Sequence, residues 1–168
     1  MTQMTEEEKT EYSSIHNTII PKRKKKFQTK GIISNRKSKH KGLIKPLLEK
    51  TKEILDQSGK QNYDMKTYLM EFHQRNCGFE KKSKATFSWH QDDYAAVSYK
   101  VYTVIYYLRK DKTIQGGNLE YEYEYKKKKI QEINGGEILC FDGDLNHRPE
   151  LCEGFGCRDI IVMFIKKK

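Results

Sequence analysis

The sequence predicts a mainly β protein, a sandwich or barrel of short strands preceded by a short helical support. Three observations carry that expectation. From Thr67 onward, short runs rich in Tyr, Val, Ile and Phe alternate with Gly and Lys clusters, the texture of half-buried strands. The doubled glycines Gly116-Gly117 and Gly135-Gly136 punctuate those runs as turns. Helical spacing recurs ahead of them, in Leu43, Leu47, Leu48, Ile54 and Leu55, where Pro46 suits a first turn and Gly59 a stop, so a helix is expected over 45–57. The expected strands are TYLMEFH (67–73), ATFSWHQ (85–91), VYTVIYYL (101–108), NLEYEYEY (118–125), EILCFDG (137–143) and DIIVMFI (159–165). The run Lys126 to Lys129 is expected in a solvated hairpin.

The 168 residues carry a net charge of +10, unevenly spread. Residues 21–50 hold twelve Lys or Arg against the single Glu49, whereas residues 1–20 carry −3 and residues 51–168 carry +2. Residues 1–41 therefore read as a basic, mobile arm suited to nucleic acid, an anionic surface or an import receptor, and residues 42–168 as the folded domain. No apolar run approaches the length of a spanning helix, and Met1 to Thr10 is acidic and polar, unlike a signal peptide. The expectation is an intracellular protein of cytoplasm or nucleus with no membrane contact. Cys77, Cys140, Cys152 and Cys157 form no CxxC pair, so reduced thiols are expected, with neither a zinc site nor a disulfide scaffold.

Chemistry concentrates in four residues. In WHQD, strand alternation turns His90 and Asp92 to one face and Trp89 and Gln91 to the other. His147 follows another apolar run, in GDLNHRPE. Two histidines and one carboxylate on one face of a metal, with the other positions open, suit non-haem Fe(II) chemistry. Arg158 opens the last strand and shares a face with Ile160, Val162 and Phe164, where a guanidinium fork invites a carboxylate. Arg109 and Arg148 are the alternative cations for that task.

Taken in order, HxD at 90–92, VYTVIYYLRKD, GGNLEY, GEILCF, His147 and GxGCR resemble the double-stranded β-helix (jelly-roll) core of the Fe(II) and 2-oxoglutarate-dependent oxygenases, over roughly Thr67 to Ile165. The pairing of YTVIYYLRKD with GGNLEY looks most like the prolyl-hydroxylase branch. The resemblance implies His90, Asp92 and His147 as catalytic metal ligands, with Fe(II), the cosubstrate 2-oxoglutarate and O2 sharing the site. It implies Arg158 and Tyr107 as the holders of the far carboxylate of 2-oxoglutarate, ascorbate as a supporting reductant, and hydroxylation of a substrate C–H bond, with a protein side chain favoured. FSWHQDD also resembles the WHxDD motif of AlkB-like nucleic acid dealkylases, which carry a second Arg where this chain has Phe164. In that reading the substrate is a nucleobase, with Trp89, Tyr94 and Tyr99 as stacking surfaces. A non-catalytic cupin-like or nucleic-acid-binding barrel is the alternative from another class.

Overall fold

The computed structural model describes residues 1–36, 38–78 and 88–168. In chain order the elements are β1 (Thr2–Gln3), α1 (Glu6–Ile19), β2 (Gln28–Ser34), α2 (Lys45–Gln57), β3 (Tyr63–Cys77), β4 (Val101–Lys110), β5 (Ile114–Gly116), β6 (Leu119–Tyr123), β7 (Lys127–Gln131), β8 (Glu137–Asp142), β9 (His147–Pro149), β10 (Cys152–Gly154) and β11 (Gly156–Lys167). All pairings are antiparallel. A large sheet runs β1-β8-β4-β11-β3-β2, and smaller sheets β7-β6-β9 and β10-β5 accompany it. The architecture is the jelly roll that the sequence led one to expect.

Alternation divides the large sheet into two working faces. Met70 and Phe72 of β3, Val104 and Tyr106 of β4, and Ile161 and Met163 of β11 point outward and are buried with Tyr12 and Ile15 of α1 and Leu47, Ile54 and Leu55 of α2. The intervening residues of the same strands point inward and face the three-stranded sheet across a cavity of about 430 Å³. The helix read from leucine spacing begins and ends where expected, at Lys45 and Gln57 with Pro46 in its first turn. The lysine run also falls where expected, entering β7 of the β6–β7 hairpin.

The mobile arm is not what the structure shows. Residues 6–19 form α1, capped by a reciprocal Thr5–Glu8 box, and its Tyr12, Ile15 and His16 are buried. Residues 28–34 form β2, paired with β3 over seven residues. Between them, Arg23 grips both carboxylate oxygens of Asp159 at 2.6 and 2.7 Å, and Asn76 donates to the carbonyls of Lys24 and Lys26. The boundary at residue 41 therefore divides one layered structure, because local charge hides contacts that only tertiary pairing supplies.

The expectation of reduced cysteines also fails for two of the four. Cys77 at the end of β3 and Cys152 in β10, 75 residues apart, are disulfide-bonded, while Cys140 and Cys157 are free. Among the described residues no helix is long and apolar enough to cross a membrane.

Candidate metal and carboxylate site

The expected strand 85–91 lies partly outside the described residues. In its described part, His90 makes a single antiparallel bridge to His147, with the two backbone N–H groups and carbonyls exchanging bonds of 2.9 Å. Asp92 is not on a strand. Its N–H and that of Asp93 both donate to the Gly143 carbonyl, at 2.8 and 3.0 Å. A Cβ on Gly143 would collide with Asp93 and Val101, so the absence of a side chain permits this approach. His90 and Asp92 thus converge through a bridge followed by a tight turn, not through strand alternation.

The three side chains offer ligand atoms that all lie within 4.8 Å of one another. Asp92 Oδ1 is 3.5 Å from His90 Nε2 and 3.6 Å from His147 Nε2. Each atom on the far side is already engaged. His90 Nδ1 lies 2.9 Å from the Ser88 carbonyl and His147 Nδ1 lies 2.8 Å from the Leu145 carbonyl. A carbonyl only accepts, so each Nδ1 carries the proton and each Nε2 presents a lone pair to the shared point. Thr103 donates to Asp92 Oδ2 at 2.6 Å, which leaves Oδ1 free. Burial pushes the His147 pKa down, which favours the neutral, ligating form; His90, whose side chain is 41% exposed, is pushed up by its neighbour Asp92. This donor set fits a divalent transition metal with open positions.

At the other end of the cavity lies Arg158, 3% exposed. Its terminal NH1 donates to the Gly117 carbonyl at 3.0 Å, while its Nε has no partner. Asp159, the next residue, points to the opposite face and is taken by Arg23, so among the described residues Arg158 has no ion pair. Its strand neighbours in register are Arg75 on β3 and Lys110 on β4, which makes this end of the cavity cationic. A buried guanidinium with no anion is costly, and a ligand carboxylate would relieve that cost. Tyr107 lines the same cavity and is 2% exposed; burial raises its pKa to about 12, so the phenol stays protonated. Neighbouring Tyr106 faces the helices instead and bonds Thr51 at 2.8 Å.

The structure therefore brings His90, Asp92, His147, Arg158 and Tyr107 to one cavity. It does not bring Arg109 or Arg148 there, since Arg109 pairs with Asp111 and Arg148 with Glu120. Trp89 is turned away, covered by Lys128 and Arg148 at 5.0 and 4.7 Å. Nothing in this geometry speaks for ascorbate. Sequence reasoning missed a polar wall of the cavity: Lys30 on β2, and Glu71 and His73 on β3. Lys30 pairs with Glu71 at 2.9 Å, and neither ring nitrogen of partly buried His73 makes a hydrogen bond, although its Nε2 lies 3.7 Å from Glu71 Oε2. Alternation within TYLMEFHQRN carries the signal, because Glu71, His73 and Arg75 share a face opposite Met70 and Phe72.

No protein-family model matches the sequence, and no curated protein matches it. Solved structures match it in fold. An oxidoreductase of the 2OG-Fe(II) oxygenase family from Burkholderia pseudomallei superposes with a TM-score of 0.71 at 13% identity, over 97% of this chain and 79% of that one. A Pseudomonas putida prolyl-4-hydroxylase gives a TM-score of 0.64 at 11% identity, over 100% and 91% of the two chains. A Trichoplax adhaerens prolyl hydroxylase, solved with a hypoxia inducible factor oxygen degradation domain peptide fragment, gives 0.63 at 14%, over 95% and 78%. The chain has the fold of these oxygenases.

Proposed function

We propose that this protein is an Fe(II)- and 2-oxoglutarate-dependent dioxygenase that hydroxylates a C–H bond of a protein side chain of prolyl or lysyl type. The observation that carries the reading is the buried Arg158, without an ion pair among the described residues, in the same cavity as the His90–Asp92–His147 trio. His90 Nε2, Asp92 Oδ1 and His147 Nε2 would hold the iron, and Arg158 with Tyr107 the far carboxylate of the cosubstrate. When bound, iron, 2-oxoglutarate and O2 supply the oxidising power that couples decarboxylation to succinate and CO2 with oxygen insertion into the substrate.

The chain's own residues position these groups. The Ser88 and Leu145 carbonyls hold both imidazoles in the ligating tautomer, and Thr103 fixes the rotation of Asp92. Arg158 orients a carboxylate through its planar fork of donors, and the protonated Tyr107 is available to add a hydrogen bond. Ile105, Ile160 and Val162 line the space between and keep water from it. A peptide-bound structure among the fold neighbours supports a protein substrate, as does Phe164, a ring where AlkB-like enzymes carry a second Arg. The test is iron-dependent conversion of 2-oxoglutarate to succinate, stimulated by proline- or lysine-containing peptides. His147→Ala should reduce it to background; unchanged turnover in that variant would refute the assignment, and demethylation of an oligonucleotide with release of formaldehyde would move the substrate to nucleic acid.

A further inference from the structure

Directly paired residues of antiparallel strands project to the same face, so the register of the three-stranded sheet shows what adjoins the trio. His90 pairs with His147, His147 with Tyr121, and Tyr121 with Lys129. One step further out along β6, Tyr123 pairs with Lys127. One step further in, Leu119 pairs with Pro149, and both line the cavity. Along β6 this face passes from buried Leu119 through partly buried Tyr121 to Tyr123, 43% exposed. It forms a continuous strip from the cavity to solvent.

Charge is sorted between the two faces of the hairpin. Glu120 and Glu122 fall on the opposite face by alternation, where Glu120 is paired with Arg148 and Lys128 lies over Trp89. The strip beside the trio carries Tyr121, Tyr123, Lys127 and Lys129 and no carboxylate. Lys127 and Lys129 are exposed and, among the described residues, have no ion pair. Among the described residues β7 is also the edge strand of its sheet, with one side of its backbone open to an added strand. Lysines on an edge strand are a common guard against aggregation. Such a guard does not by itself explain a carboxylate-free face that leads to a cavity.

We infer that this strip is the docking track for the polypeptide flanking the oxidised residue, and that the flank is acidic: Lys127 and Lys129 pair with its carboxylates while Tyr121 and Tyr123 pack on its side chains. The inference rests on the protein-substrate reading above and specifies it. An acidic peptide fits better than a nucleic acid. The strip carries only two lysines, Lys127 and Lys129, so it presents no extended positive field to a polyphosphate. The two tyrosine rings are tilted by 54°, not parallel as for stacking successive bases.

The test is fluorescence anisotropy with a labelled glutamate-rich peptide around one proline, its glutamine counterpart, and an oligothymidylate of equal charge. The glutamate peptide should bind roughly tenfold tighter than the glutamine one, as two surface ion pairs allow, and the difference should shrink with salt. Lys127→Glu with Lys129→Glu should abolish or invert the difference, whereas Lys127→Arg with Lys129→Arg should retain it; thermal melts of each variant confirm folding. Equal binding of the two peptides, or a preference for the glutamate peptide that survives the reversal, would overturn the proposal, as would tighter lysine-dependent binding of the oligonucleotide. Binding is read without turnover, so failure here is separate from failure of the succinate assay, which tests the reaction class.

Discussion

The two faces of the large sheet are built from alternate residues of the same strands, yet they obey different rules. Toward the helices, β3 presents Met70 and Phe72 and β11 presents Ile161, Met163 and Ile165, all fully buried among apolar neighbours. Toward the cavity, the same strands present Glu71, His73 and Arg75, and Arg158 among Ile160, Val162 and Phe164. Most of these residues are as buried as a core and His73 is partly so, but they include charges and polar atoms without hydrogen bonds, such as the His73 ring nitrogens and Arg158 Nε. The helix face supplies folding free energy, and the cavity face gives some of it up by burying charged and polar groups with atoms that lack hydrogen bonds.

The sharpest way to break this comparison uses the neighbours Phe72 and His73. Phe72→Ala should lower unfolding free energy by about 3–5 kcal/mol through lost burial and a cavity. His73→Leu should cost at most about 1 kcal/mol, because neither ring nitrogen makes a hydrogen bond and Glu71, 3.7 Å from Nε2, keeps its Lys30 partner. Denaturant midpoints decide; equal losses would mean that the two faces do not differ in kind.

A second effect concerns what joins the layers. The Cys77–Cys152 bond ties the end of β3 to β10, beside Gly117, whose carbonyl accepts from Arg158. Cys77→Ser with Cys152→Ser should cost roughly 2–4 kcal/mol, as expected for a long loop. Addition of reductant should lower the wild-type midpoint and leave that of the double variant in place; a wild-type midpoint indifferent to reductant would exclude a bond in solution.

The smallest effect uses the adjacent tyrosines. Tyr106→Phe loses the bond to Thr51 and should cost about 1 kcal/mol of stability with cosubstrate affinity intact. Tyr107→Phe should do the reverse, weakening 2-oxoglutarate by a similar amount with little change in stability. Thermal melts and calorimetric titration together separate the two, and the same response from both would remove the distinction between faces at this strand.

Period-two patterning made much of this visible in the amino-acid sequence. It set Arg158 on the face of Ile160, and leucine spacing located α2, whereas Tyr107 was indicated only by the family resemblance. What patterning could not show depended on partners distant in the chain. The segment 21–41 reads as solvated because the contacts that fix it, Arg23 to Asp159 and the Lys24 and Lys26 carbonyls to Asn76, are made with partners 50 to 136 positions away. Cys77 and Cys152 have no local spacing that marks them as a pair. The convergence of His90 with Asp92 was anticipated, but its cause was not, since it depends on the Gly143 carbonyl and not on strand geometry.

The central claim is that two groups at opposite ends of one cavity act on one ligand: a metal held by His90, Asp92 and His147, and a carboxylate held by Arg158. Anaerobic calorimetric titration of 2-oxoglutarate into protein preloaded with Fe(II) tests it most directly. Wild type should bind one equivalent, and only when iron is present. His147→Ala should lose both iron and 2-oxoglutarate, whereas Arg158→Met should keep iron at full stoichiometry and bind 2-oxoglutarate weaker by about 2–5 kcal/mol. Wild-type affinity for 2-oxoglutarate in the Arg158→Met protein, or full iron retention in the His147→Ala protein, would contradict the account.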